Sequence, residues 1–551
     1  MSQKDYVGIV LSGSTTREAA CQMLETAEKG GIKEGMLLII ESGGRKLLAR
    51  VAQIVPYNAF YTEGDPFSEA RRKDLPIPEE VARRYEVCKL DLLSEVPRGE
   101  IKFPPAPGDH ILKIDPKLHE KDIFGVSKGD PRHVWFGSLA GYPAAPVPLN
   151  VENIPMHMAI FGVTGSGKSF DTGALIEKLA DIPVHKKGSA SYPMIIVDAH
   201  GDYVDYVEYC ANNQKIGQVG WIKRYVFPNA YVQPRLRRTT NVQPIGVNLD
   251  LLSQRELAEI ILLFYRGTIE GAELQVDSID ALFDSMNTKG FTSINDIFLL
   301  HFNDLLSELE TFARQSDMHS ATKGAVRRAL RSFRTLEEKH NLLSTKSDLR
   351  DVKFVEQITK EGGIAIFDFS ADAAPGVDLK TKQFVMTYLA TLLFEQFTNY
   401  KISKEDRYLM FIIEEAQNFV PDQSYPVSSS LAHAKLSAIA TQGRKFGLSL
   451  CLISQRPSFV DRIVLSMCNS FMLHRMSPED VSFVRGVSGG LPSSLVPRLT
   501  TMNTGDLILT GQITTVPFPL VITVPEADRK IKPTIGKTNV CESIAKLRGI
   551  V

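Results

Sequence analysis

Cysteine is scarce. Six thiols are spread over 551 residues, at Cys21, Cys88, Cys210, Cys451, Cys468 and Cys541. No two are spaced as C-x-x-C, which argues against both a structural zinc site and a thioredoxin-type redox pair. So few thiols in so long a chain fit a reducing compartment rather than a disulfide scaffold. Long apolar runs are missing too. MFIIEEAQ and LSLCLISQ, among the most apolar stretches, stop at charged or polar groups well short of the ~18 residues a membrane span needs. The start, MSQKDYVGIVLSGSTTREAA, has no apolar centre of signal-peptide length, so the expected location is the cytoplasm. Charge of one sign is also lacking. Lys and Arg total 63 against 64 Asp and Glu, a net charge of −1, so any surface for a polyanion has to be built locally. Internal repeats and low-complexity stretches are absent. With 43% apolar and 23% charged residues, the chain is neither a disordered tail, a collagen-like rod nor a supercharged coat. Its length suggests about three to four domain-sized units.

What is present changes character along the chain. Residues 1–115 carry short runs rich in Val, Ile and Leu between turn residues: YVGIVLSGS, GMLLIIESG, KLLARVAQIV and HILKID. The Gly-Gly of ESGGRKLLARV predicts a hairpin, because glycine accepts the positive φ such turns require. The interval from Glu63 to Arg84 is dense in charge and proline and reads as an exposed excursion. The whole segment reads as a small β-barrel or sandwich. From about Val134, apolar strands alternate with amphipathic helices: MHMAIFG then SFDTGALIEKLA, PMIIVDAHGDY, GGIAIFDFS then KQFVMTYLATLLFEQF, YLMFIIEEA, LSLCLISQRPS. That alternation predicts an α/β fold, a mostly parallel sheet covered on both faces. Residues 251–346 read as almost wholly helical, an insertion dividing the α/β part into 116–250 and 347–524. A basic tail, 525–551, follows and suits bracing a neighbouring subunit.

The strongest chemical signal is Gly162-Val163-Thr164-Gly165-Ser166-Gly167-Lys168-Ser169, which matches G-x-x-x-x-G-K-[ST] between a strand and a helix. Glycines let successive amides form an anion nest, and the helix N-terminus adds positive potential. Lys168 then reaches the β- and γ-phosphates of ATP, and the Ser169 hydroxyl ligates Mg²⁺. With Phe170 this run is the candidate nucleotide cradle. Leu409-Met-Phe-Ile-Ile-Glu414-Glu415 is an apolar strand ending in two carboxylates, where α/β sheets place ligands. Glu414 is the candidate for the metal's hydration shell, and Glu415 for orienting or deprotonating the attacking water. Asp198, ending Met194-Ile-Ile-Val, is an alternative metal partner. His200, beyond it, reads equally as a solvated loop residue. Gln455 at the end of LCLISQ suits a γ-phosphate sensor. Arg444, in TQGRKFG, suits an arginine finger as well as it suits an ordinary salt bridge. Lys323, Arg327, Arg331 and Arg334 form one basic helical stripe, a pattern that is usually just a solvated face.

Taken in order from Phe161 to Ser458, FGVTGSGKS, VDAHGDY, FIIEEAQNF, GRKFGLSL and SQRPS resemble the HerA family, within the HerA/FtsK group of P-loop translocases. The resemblance implies a HerA–ATP synthase-type barrel followed by a RecA-like ATPase core. It also implies a homohexameric ring that threads double-stranded DNA using ATP and works with a NurA-type nuclease in DNA end processing and repair. Some relatives instead pair with sirtuin-like or nuclease effectors in antiphage defence, so a ring scaffold that docks such an effector is the alternative. A conjugation-type coupling ATPase is a further one, though no membrane anchor is seen. By carry-over Lys168 and Ser169 hold phosphate and metal, Glu415 is catalytic, Gln455 senses phosphate, and Arg444 acts in trans. Gln417 stands where a histidine is frequent in the family.

Overall fold

Period-two burial marks some of the first strands, while others bury several residues in a row. In the computed structural model, β1 (Tyr6–Val10), β2 (Glu18–Met23), β3 (Leu37–Ser42), β4 (Arg45–Tyr57), β5 (Tyr85–Glu95) and β6 (His110–Lys113) form a closed antiparallel barrel in the order β1-β2-β5-β4-β3-β6. Along β5, Cys88, Leu90, Leu92 and Ser94 point inward and the residues between them outward. The expected hairpin lies between β3 and β4, where Gly43 and Gly44 adopt φ of 55° and 80°. Two strands, β2 and β5, were not anticipated. Described are residues 6–58, 61, 72–73, 85–97, 99–185, 188–212, 214–426, 429–531 and 544–546. The expected excursion at 63–84 (residues 72 and 73 apart), Cys541 and most of the basic tail lie outside them.

The chain divides into two units: Met1–Val151 with Val163–Gly167 and Ser470–Asp528, and Glu152–Gly162 with Lys168–Asn469 and Arg529–Val551. The first holds the barrel together with β7 (His133–Leu139) and β8 (Pro146–Asn150). A buried Arg50 on β4 donates to Asp91 Oδ2 on the neighbouring strand β5 at 2.7 Å and, beyond the barrel strands, to the Pro519 carbonyl at 3.1 Å.

In the second unit, β9 (Met158–Phe161) is followed by a short ribbon, β10 (Ile182–His185) and β11 (Gly188–Ala190). Then come β12 (Met194–Asp198), β13 (Ile222–Val226), β14 (Val242–Pro244), β15 (Ile364–Asp368), β16 (Leu409–Ile413) and β17 (Leu448–Ser454). These form an all-parallel run, β14-β13-β15-β12-β16-β17-β9. Strands β9, β12, β15, β16 and β17 are buried at every position, as a sheet covered on both faces requires. The RecA-like α/β fold and the barrel before it are thus both borne out. Between β14 and β15 run the helices Gln254–Arg266, Glu273–Thr288, Phe302–Gln315 and Ser320–His340. Phe333 of the last packs edge-on against Phe264, Phe298 and, on the sheet-covering helix Leu379–Ile402, Phe384. The chain then returns to the first unit through β18 (Ser470–Leu473), β19 (Asp506–Gly511) and β20 (Leu520–Thr523), which join β7 and β8 in antiparallel order β18-β19-β20-β7-β8. Among the described residues no helix is long and apolar enough to cross a membrane.

Candidate active site at the carboxyl edge of the parallel sheet

Register places the chemistry. Asp198 pairs with Asp368, Val197 with Ile413, Ile413 with Leu452 and Ser454 with Phe161. Asp198, Asp368, Glu414, Gln455 and Gly162 therefore share one edge, the carboxyl ends of parallel strands where α/β sheets take ligands. Gly165 and Gly167 adopt φ of 73° and 106°, the left-handed conformation an anion nest uses. Loop carbonyls at Gly165 and Ser166 accept from Thr504 Oγ1 and Gly505 N, at 3.1 and 3.4 Å. Lys168 and Ser169 open the helix Lys168–Leu179, with Phe170 next to them. Burial lowers the Lys168 ammonium's pKa, while Glu415, Glu414 and Asp202 act to raise it.

Glu415 is the centre of a hydrogen-bond cluster. Its Oε1 accepts from Gln455 Nε2 at 2.6 Å and lies 3.1 Å from His200 Nε2; its Oε2 accepts from Gln417 Nε2 at 2.5 Å. Gln417 in turn accepts from Ser454 Oγ at 2.8 Å. Burial works against the Glu415 charge, but the donors from His200, Gln417 and Gln455 outweigh it and hold the carboxyl below its usual range. The residue sits at φ 47°, ψ 50°, a left-handed conformation that costs a non-glycine residue about 1–2 kcal/mol. It turns the chain sharply at the end of β16.

Glu414 faces a different environment. Fully buried, its Oε1 accepts from Tyr203 Oη at 3.0 Å and its Oε2 from the Ala199 amide at 3.1 Å. Burial first, then the nearby Asp198, push its pKa well above the ordinary range. Asp198 accepts amides from His200, Gly201, Asp202 and Tyr203 at 2.6–3.2 Å, so its carboxylate shapes the loop after β12. Burial and Asp368 raise it to about 6. With four amide donors Asp198 is the better stabilised anion of the two, and burial holds Glu414 further above the ordinary carboxylate range. Asp368 itself is bound by Arg224 Nε and Nη2 at 2.9 and 2.5 Å.

The other candidates separate. Arg444 lies in the exposed turn Gly443–Phe446 before β17, and Gln455 lies directly after that strand. Seven residues at ~3.3 Å each put the two about 20 Å apart. Three of the four cations of the basic stripe are engaged within the chain: Lys323 and Arg327 share Glu310, and Arg334 lies over Phe302 near Glu338. Among the described residues no group of three or more His, Cys, Asp or Glu could hold a metal. Any divalent ion here would depend on the Ser169 hydroxyl and on phosphate oxygens, a donor set that suits Mg²⁺. Sequence reasoning missed Tyr203, the Arg224–Asp368 pair, the bridging place of Gln417, and Arg529. Asp368 carried a usable signal, since it ends an apolar strand as Asp198 does.

Residues 134–393 match the family model for the central domain of helicase HerA. Along almost the whole chain, two relatives described as DNA double-strand break repair helicase HerA align. That of Sulfolobus acidocaldarius is 26% identical over 95% of this chain and 94% of its own. That of Saccharolobus solfataricus is 24% identical over 95% and 93%. The solved structure of VirB4 from Thermoanaerobacter pseudethanolicus, 14% identical, covers 73% of this chain and 98% of its own at a TM-score of 0.46. The P-loop, the strand-end glutamates and the match of residues 134–393 together identify the central part of this chain as a HerA-type central domain, that of a P-loop ATPase.

Proposed function

We propose that this protein is a DNA-translocating ATPase that works as a hexameric ring on double-stranded DNA beside a nuclease of the NurA kind. The observation that carries the reading is the Glu415 cluster, one residue past the end of β16 and in the electrostatic field of Lys168. Residues 162–170 cradle the phosphates, with the Lys168 ammonium against the β- and γ-oxygens. Mg²⁺ would be held by Ser169, with Glu414 or Asp198 behind its water shell, and would supply positive charge to neutralise the phosphates. Glu415 accepts the proton of the attacking water. Gln455 has its amide on that carboxylate and turns it toward the γ-phosphate once nucleotide is present. Arg444, a strand's length from its own chain's Gln455, serves the site of a neighbouring subunit, and this supports the ring. The names of the relatives support DNA as the track. A scaffold with purely structural ATP would have no need of a glutamate held by three donors.

The test is steady-state ATP hydrolysis with and without linear duplex DNA, together with the sedimentation of the particle. Hydrolysis that rises with duplex DNA, vanishes in Lys168→Ala and comes from a six-subunit particle is expected. Hydrolysis indifferent to both DNA and Lys168 would overturn the reading.

A further inference from the structure

Arg529 is only 1% exposed, although it opens a segment rich in basic residues. Its Nη1 donates to the Ser169 carbonyl at 2.8 Å, its Nη2 to the Asp202 carbonyl at 3.2 Å, and its Nε to the Ile531 carbonyl at 2.8 Å. The guanidinium lies 5.7 Å from the Phe170 ring centre and 5.9 Å from that of Tyr206. It also fills the space beside Gly173, where an added Cβ would come within 2.4 Å of Cζ. One turn further along the helix Lys168–Leu179, Glu177 accepts the amides of Lys530 and Ile531 at 2.7 and 3.0 Å. A cation is costly to bury unless its donors are satisfied in a fixed geometry, so this guanidinium has one well-defined seat.

The two outer carbonyls belong to different halves of the candidate site. Ser169 lies in the first turn of the P-loop helix; Asp202 lies in the loop folded around Asp198 and acts electrostatically on Lys168. We propose that Arg529 is a positioning residue of the nucleotide site, a planar fork that fixes the P-loop helix against the loop after β12. Gly173 is the small residue that lets it in. The start of the basic tail thus serves its own chain's site. The proposal rests on the reading of residues 162–170 as the nucleotide cradle.

The experiment measures mant-ATP affinity, and KM and kcat for ATP, in full-length Arg529→Ala, Arg529→Lys and Gly173→Ala, with Lys168→Ala as reference and far-UV circular dichroism for folding. Ångström-scale misplacement in an active site costs up to ~100-fold, so Kd and KM are expected to rise about 10-fold or more in Arg529→Ala and Gly173→Ala. The effect on kcat should be smaller, and Arg529→Lys should recover part of the affinity through its charge without the fork. If Arg529→Ala does not fold, the other two variants decide. Wild-type affinity in the folded variants, with binding weakened in Lys168→Ala, would overturn the positioning role alone. Wild-type binding in Lys168→Ala would remove the nucleotide-cradle reading itself.

Discussion

Glu415 and Glu414 are chain neighbours with opposite electrostatics, and each substitution therefore asks a different question. Glu415→Gln keeps the shape of the side chain but cannot take a proton. It should bind mant-ATP normally while phosphate release falls by about 10²–10⁴-fold. Should Glu414→Gln stop hydrolysis while Glu415→Gln does not, the two roles are exchanged. His200 gives a pH prediction. Its hydrogen bond to Glu415 raises the imidazole pKa above the ordinary 6.5. The ion pair is thus complete below about pH 6.5 and is lost as pH rises through the raised value. Protonated His200 lowers the basicity of Glu415, so hydrolysis should climb as pH rises above about 6.5 and the charge disappears. His200→Ala should be faster than wild type at the acid end and show a flatter profile, read from kcat against pH. An unchanged profile would mean that His200 does not govern Glu415.

At the scale of elements, β17 sets the geometry. Gly447 ends the turn that carries Arg444 at φ 86°, and a Cβ there would meet the Arg407 carbonyl at 1.9 Å. Gly447→Ala therefore combines a disfavoured backbone with overpacking and should cost roughly 2–4 kcal/mol, measured by urea denaturation. The GRKFG motif is in this respect structural as well as chemical. The P-loop helix and the central parallel strands were legible in the sequence because every residue of MIIVD, IAIFD, LMFII and LSLCLIS is buried, leaving mostly apolar runs, whereas β13 (IKRYV) and β14 (VQP), with charged or polar residues inside, were not. β2 and β5 were harder. EAACQM contains no β-branched residue, and in YEVCKLDLLSE the outward Val87 and Leu93 blur the alternation. Arg529 was invisible for another reason: it binds backbone carbonyls, one of them 360 residues away, and a carbonyl leaves no letter in a sequence.

For the whole molecule, the separation of Arg444 from Gln455 makes the ring testable. An Arg444→Ala subunit would lack only the finger it donates, and a Lys168→Ala subunit only its own pocket. Mixing the two should recover ATPase above either parent, because some interfaces then pair an intact pocket with an intact finger. Loss of a finger costs about 10³–10⁵ in rate, so a small recovered fraction is measurable. Activity that never exceeds the parents, in rings shown to mix, would count against a trans finger. The parallel run of strands bears on assembly in a second way. β14, at its outer end, is three residues long and finishes in Pro244. The Ile245 amide donates inward to the Val226 carbonyl, so the position of Pro244 faces outward, and proline has no hydrogen there to offer. A strand from another molecule would find a broken template at this margin. Copies of the protein can therefore crowd together without their sheets zipping into fibres there, and Pro244→Val should be the substitution that lets heat-stressed samples bind thioflavin T.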